Sequence, residues 1–248
     1  MNISFYTART GLLAYQNGID IVSHNVSNVS TVGYKSTSAT FRELVYSRLD
    51  QNANKETPWE EADKTGHGVR MIDDALNMAD GNVRTTGYDL DFAVLGNGFF
   101  AIDRMGQTLY TKNGAFELSI EGDDVYLVST DGSYILDQNY EKIIIPRDEQ
   151  GLLDTDSIVT TVGIFGFDNP EGLQREEGSS FSTTAISGEA YASDEGEYDL
   201  LQGALEQSNT SLAKEMADII VLQKAYQFSA KVLQTADEVE QIVNTLRQ

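Results

Sequence analysis

A glycine-rich motif in the middle of the chain has the spacing of a cofactor-binding loop. GNGFFA, from Gly96 to Ala101, fits the GxGxxG/A pattern of dinucleotide-binding loops. In such loops the glycines precede a helix, whose N-terminus holds the pyrophosphate. Here the motif continues into FFAID, which is a predicted strand. The sequence therefore favours a tight hairpin turn and not a nucleotide site.

Two further motifs are typical of penicillin-binding enzymes, in which a serine attacks a carbonyl carbon. Residues 211–214 match SxxK, and residues 64–66 match KTG. In those enzymes KTG follows SxxK, with SDN between them. Here the order is reversed and SDN is absent. We interpret both as chance matches.

Metal ligation and acid–base catalysis have equally weak support. The chain has no cysteine, and His24 and His67 lack the spacing of a metal site. Its 39 acidic residues make carboxylate pairs such as Asp123 and Asp124 unavoidable, and solvated turn carboxylates explain them. We predict no catalytic residue, no cofactor and no metal, so the chain is not expected to be an enzyme.

The charge is strongly acidic and unevenly distributed. A net charge of −22 disfavours nucleic acid or an anionic membrane as partner. Residues 1–35 sum to +1 and residues 212–248 to −1, so the segment between them carries the whole excess. No apolar run is long enough to span a membrane, and the N-terminus lacks the pattern of a cleaved signal peptide. Neutral ends and an acidic middle indicate buried or interfacial ends around a solvated domain.

The two ends are predicted to be amphipathic helices. In the first, apolar residues recur at alternating steps of three and four, the seam of a coiled coil. Its predicted assembly residues are Phe5, Leu12, Tyr15, Ile19, Val22, Val26 and Val29. Gly11 and Gly18 each cost about 1 kcal/mol against alanine in a helix, so this helix needs a partner.

The C-terminal helix is predicted to begin near Leu212 and contains neither glycine nor proline. Its apolar stripe drifts around the helix, which suggests more than one neighbour. The predicted contact residues are Leu212, Met216, Ile219, Tyr226, Phe228, Val232, Val239 and Val243. The pattern fits either a hairpin within one chain or a coiled coil between chains. On the second interpretation, Val22 is exposed in the free chain and becomes buried on assembly.

Short β-branched and aromatic runs separated by turn motifs begin near Gly81, which predicts antiparallel strands. The expected fold class is α+β, with paired N- and C-terminal coiled-coil helices and an inserted antiparallel all-β domain. The expected segments are an assembly helix (1–35), an extended arm (36–80), a β-rich outer domain with an irregular return segment (81–207) and a second assembly helix (208–248).

Four blocks of sequence resemble the rod and hook proteins of the bacterial flagellum. The first is NVSNVSTVGYK, which matches that family's N-terminal signature at Asn25, Asn28, Thr31, Gly33, Tyr34 and Lys35. The others are GNVRTTGYDLDFAVLGNGFF, YTKNGAF, with Lys112 where arginine is usual, and the C-terminal block from Leu205 to Glu238. GIFGFDNPEGL is a further partial match.

This resemblance implies a structural subunit that polymerises helically through its terminal helices, as part of the axial shaft between motor and hook. Its partners would be further copies of itself, other rod and hook subunits and the flagellar export apparatus, with no nucleic acid and no small-molecule substrate. It implies a place in the basal body outside the cytoplasmic membrane, reached without a cleaved signal peptide. The length favours a distal rod type, with a proximal rod or hook-like subunit as the alternative. A secreted β-domain binding protein or hydrolase with a helical hairpin is the alternative from another class.

Overall fold

A computed structural model describes residues 3–48, 64–122, 124–146, 155, 157–193, 196 and 198–246 of the chain. The helices are α1 (Ile3–Ser27), α2 (Ile158–Thr161) and α3 (Leu212–Leu246), with 3-10 turns at Pro170–Gly172 and Glu177–Ser179. The strands are β1 (Thr37–Glu43), β2 (Tyr46–Arg48), β3 (Lys64–Gly66), β4 (Val69–Leu76), β5 (Val83–Thr85), β6 (Phe92–Gly96), β7 (Phe99–Arg104), β8 (Gln107–Thr111), β9 (Phe116–Glu121), β10 (Asp124–Ser129), β11 (Tyr134–Ile135), β12 (Ile164–Gly166), β13 (Gln174–Arg175), β14 (Ser180–Ser182), β15 (Tyr191–Ala192), β16 (Tyr198–Gln202) and β17 (Ala204–Glu206).

The chain forms two compact units. Unit 1 consists of residues 1–26, 37–75 and 212–248, and unit 2 of residues 27–36 and 76–211. Unit 1 contains the two long helices and the strand pairs β1–β4 and β2–β3. The predicted mixture of terminal helices and an antiparallel β-rich middle is confirmed, because α1 and α3 lie near the two ends and the paired strands of unit 2 run antiparallel.

Unit 2 is built around a sheet with the order β13-β14-β8-β7-β11-β10-β9, to which β12 and β15 are added at β7. The central strand β7 is buried on both faces because its alternate side chains enter different cores. Phe100 and Ile102 pack with one cluster, which includes Phe92 and Leu127. Phe99 and Ala101 pack with the other, which is rich in aromatic rings.

The strands differ from the sequence prediction in the arm and at the GNG motif. Residues 37–43, expected to be part of an extended arm (36–80), form strand β1 and pair with β4. GNG at 96–98 joins β6 to β7, but it is not a hairpin turn, because β6 pairs with β16 and β7 with β8, β11 and β12. Gly98 is required there, since an added Cβ would lie 2.6 Å from a methyl of Val94. The polar arm between 49 and 63 lies outside the described residues.

Lys112 is a buried cation in the interior of unit 2. Its side chain is almost fully buried, and Nζ donates to the carbonyl oxygens of Val94 (3.2 Å) and Gly96 (2.7 Å). The ammonium also lies 5.0 Å from the centre of the Phe99 ring. Burial, and then the positive charge of Lys35, lower the pKa of Lys112 to about 8 from its ordinary 10.5.

We expect this lysine to make unit 2 more stable as the pH rises above about 8. In that range the folded chain has released the Lys112 proton while the unfolded chain still binds it, so the unfolded state binds more protons. The unfolding free energy of the parent should therefore rise relative to Lys112→Met by a few kcal/mol between about pH 8 and pH 10. Denaturant titrations of both proteins across this range measure the difference. Parallel pH profiles for the two proteins would contradict the assignment.

Candidate assembly interface

Small side chains form the buried face of α1. The buried residues of this helix are Ala8, Gly11, Ala14, Gly18, Val22 and Asn25. Of the assembly residues predicted on α1, only Val22 belongs to this face, whereas Phe5 is exposed and Leu12, Tyr15, Ile19 and Val26 are half-buried. Val29 lies beyond the end of α1 and is half-buried in unit 2. Val22 is 6% exposed in the single chain, so the expectation that it is buried only after assembly is wrong.

The two long helices run antiparallel and meet at three levels seven residues apart. A Cβ added to Gly11 would lie 3.0 Å from Oγ of Ser229, and one added to Gly18 would lie 3.4 Å from both methyls of Leu222. At the third level Asn25 hydrogen-bonds Glu215. The glycines therefore permit a close approach of the helices, which offsets the propensity cost that the sequence suggested.

A buried polar network closes one end of this helix pair. The Asn25 side chain is 2% exposed; its Nδ2 donates to Thr37 O (2.8 Å) and to Glu215 Oε2 (3.3 Å), and its Oδ1 accepts from Thr37 N (3.0 Å). Glu215 lies in the first turn of α3, where the helix dipole stabilises a negative charge. The sequence placed Asn25 and Glu215 in separate motif blocks, and nothing in their spacing indicated that they meet.

Strand β1 and the glycine before β4 provide further packing for α1 within unit 1. The Phe41 ring of β1 lies 5.8 Å from the ring of Tyr15, and its Cζ would be 2.8 Å from a Cβ at Gly18. Gly68, just before β4, approaches Thr10 so closely that a Cβ there would lie 2.0 Å from the hydroxyl oxygen. The segment predicted as an arm is thus part of the structure that positions α1.

The rest of the N-terminal signature lies in unit 2. Thr31 donates from its hydroxyl to Asn28 Oδ1 (3.1 Å) in the turn after α1. Gly33 has a φ of +65° and donates its N–H to Glu206 O (2.8 Å). Tyr34 is buried beneath the guanidinium of Arg175 at 4.3 Å. Lys35 is completely buried and forms an ion pair with Glu206.

Helix α3 exposes most of its apolar side chains in the single chain. Its buried residues are Glu215, Leu222 and Ala236, of which Glu215 and Leu222 contact α1. Of its predicted contact residues, only Ile219 is half-buried; the exposed ones are Leu212, Met216, Tyr226, Phe228, Val232, Val239 and Val243. A surface helix normally directs its apolar stripe to a core, whereas most large apolar side chains of α3 are exposed in the single chain.

Some of these residues form a second regular seam, here called the outer seam. It consists of Val221, Phe228, Val232, Val239, Ile242 and Leu246, all of them exposed. Together with Ala225 and Thr235 they alternate at steps of four and three, the spacing of a coiled-coil contact. Leu212, Met216 and Tyr226 lie on the other flank of the stripe that faces α1.

Other kinds of site have no support in the described part of the chain. There, no group of three or more His, Asp or Glu side chains is arranged to hold a metal ion. Among the helices that are described, none combines the length and apolarity that a membrane span requires.

Comparison with known proteins identifies the family. Three family profiles match: "Flagella basal body rod protein" over residues 5–35, "Flagellar hook protein FlgE/F/G D1 domain" over 93–178, and "Flagellar basal body rod FlgEFG protein C-terminal" over 201–246. The flagellar basal-body rod protein FlgG of Borreliella burgdorferi is 32% identical, with 98% of each chain covered. FlgG of Bacillus subtilis is 31% identical over 98% of this chain and 99% of its own. The rod protein FlgF of Mesorhizobium japonicum is 29% identical over 99% and 98%. The chain therefore belongs to the FlgG family of flagellar basal-body rod proteins, the distal rod type, and is a structural subunit of the rod and not an enzyme.

Proposed function

We propose that this rod subunit polymerises with copies of itself through its terminal helices, as a helical coiled-coil tube that transmits rotation from the motor to the hook. The observation that supports this most directly is the outer seam of α3. It has the spacing of a helix–helix contact, yet its side chains are exposed; Phe228, for example, is 68% exposed. Burying these side chains against neighbouring helices would remove apolar surface from water at every subunit contact.

The charge distribution supports a polymer with the terminal segments at its axis and the acidic middle of the chain facing solvent. The terminal segments 1–35 and 208–248 are assigned to assembly, and 81–207 to the outward β-rich domain. The terminal segments are nearly neutral, whereas the acidic excess lies between them. Like charges repel less when they are solvated at the outside of a polymer than when they are packed along its axis. Such a subunit would act outside the cytoplasmic membrane, where the flagellar export apparatus delivers it without a cleaved signal peptide, and would contact other rod and hook subunits.

Phe228→Glu tests this proposal. In the single chain the side chain is exposed, so the monomer should lose no more than about 0.5 kcal/mol of stability. In a polymer the carboxylate would be desolvated without a partner, at a cost of several kcal/mol. We expect the critical concentration for polymerisation to rise by about 100-fold or more, since each 1.4 kcal/mol is a factor of ten. Sedimentation of the purified chain measures this critical concentration, and incorporation into basal bodies tests assembly in the cell.

The control is Gln227→Glu, which adds the same charge one residue away at an exposed position outside the outer seam. It should polymerise like the parent chain. Normal incorporation of Phe228→Glu would show that the outer seam is not an assembly surface.

A further inference from the structure

The chain crosses the boundary of unit 2 four times, and the segments at three of these crossings meet in one polar cluster. They are residues 33–36, which lead to β1, residues 76–81, which follow β4, and residues 206–211, which precede α3. We call the place where they meet the junction. Each segment lies within a few residues of a boundary between the units, so the junction contains three of the points at which the chain enters or leaves unit 2.

Hydrogen bonds of Asn209 connect the backbones of the three segments. Asn209 Oδ1 accepts from Ser36 N (2.7 Å), and Nδ2 donates to Asn77 O (2.7 Å) and Ala79 O (2.9 Å). Asn77 N in turn donates to Ser36 O (2.8 Å). One side chain from the outgoing segment therefore fixes the two other segments side by side.

A buried ion pair forms the second half of the junction. Lys35 Nζ lies 2.7 Å from Glu206 Oε1 and also donates to the carbonyl oxygens of Ala79 (3.0 Å) and Met78 (3.4 Å). The side chains of Lys35 and Glu206 are 0% and 1% exposed. Glu206 Oε1 additionally accepts from Gly81 N (2.7 Å). Two of the three segments thus supply the charged side chains of this ion pair, and the third supplies backbone groups that hydrogen-bond to them.

Buried ion pairs often add little net stability compared with apolar side chains of similar size, because both charges lose their hydration. Their hydrogen bonds are directional, however, and they fix the atoms that surround them. Residues 35 and 206 are 171 positions apart in the sequence, so this contact joins two distant parts of unit 2.

We propose that the Lys35–Glu206 pair is a positioning site that fixes these three segments of unit 2, so that the chain enters and leaves unit 2 next to β1, β4 and α3 at adjacent, defined points. Its role is placement of these segments and not the stability of the β-domain. That placement matters for polymerisation is a consequence that rests on the function proposed above.

The test compares Lys35→Met/Glu206→Leu with the parent chain by amide hydrogen exchange. We expect Ser36 N and Asn77 N, which hold the segments together, to exchange at least tenfold faster. Leu127 N, which donates to Ile143 O in the core of unit 2, should keep its protection within about twofold. The critical concentration for polymerisation should rise at least tenfold. The control is Arg104→Met/Asp131→Leu, which removes a partly exposed ion pair of unit 2 and should leave all these values unchanged.

Unchanged exchange of Ser36 and Asn77 in the double variant would overturn the proposal. Loss of protection at Leu127 would overturn it as well, because the pair would then be a stability element. Glu206→Gln is the second variant, which keeps the size of the side chain and removes its charge; it should accelerate Ser36 and Asn77 in the same way. Faster exchange with unchanged polymerisation would overturn the link to assembly, whereas normal polymerisation of Phe228→Glu would count against the proposed function and leave the exchange result intact.

Discussion

Gly33→Ala is expected to destabilise unit 2 by about 3–5 kcal/mol, an effect at the upper end for a single substitution. An added Cβ would lie 2.5 Å from the carbonyl carbon of Lys112 and from the amide nitrogen of Asn113, and both belong to backbone that cannot rotate away. The φ of +65° adds strain for any residue with a side chain. Thermal unfolding and the amide protection of the core of unit 2 measure the loss.

Gly87→Ala is the matched control. Gly87 also has a positive φ, +74°, but an added Cβ would meet nothing within 4 Å. Gly87→Ala should therefore lower the unfolding free energy by no more than the conformational strain, about 1–2 kcal/mol. Equal losses in the two variants would show that the close approach at Gly33 contributes nothing.

Val22→Asp is expected to destabilise unit 1 by about 3–5 kcal/mol and to prevent assembly, while the core of unit 2 keeps its amide protection. Val22 lies in the face of α1 that contacts α3 and is 6% exposed. The antiparallel register places it level with Asp218 and near Glu215, so a new carboxylate would add like-charge repulsion to its desolvation cost. Amide exchange of α1, compared with that of Leu127, measures the two units separately.

Asn17→Asp is the control for this change. It introduces the same charge into the same helix at an exposed position, and α1 should keep its protection. If Val22→Asp left α1 protected and only polymerisation failed, the packing of α1 against α3 in the single chain would not depend on this residue.

The sequence predicted the existence of both terminal helices and of the β-rich middle because these depend on local patterns of apolar residues and turns. It did not predict which face of α1 packs on α3. Large residues such as Leu12 and Tyr15 dominated the apolar pattern, whereas the contact is made by Gly11 and Gly18. Glycines seven residues apart on one helix are a signal for close helix approach, which a count of apolar residues overlooks.

Contacts between distant parts of the chain could not be predicted from the sequence, for a different reason. The strand β1 reads as an irregular polar segment because its support comes from β4 and α1, not from its own residues. Lys35 and Glu206 were both found in motif blocks, but only the fold of unit 2 brings them together. Motifs therefore located important residues, and the structure was needed to assign their partners.

The junction has a consequence for how such subunits can change in size. Because the incoming segment at Asn77 and the outgoing segment at Asn209 lie side by side, everything between them is an insertion with adjacent ends. Extra residues in the loops of such an insertion leave the spacing of its two ends, and hence the chain leading to the helices, unaltered. Unit 2 can in this way acquire or lose whole hairpins over generations while the two long helices keep their lengths.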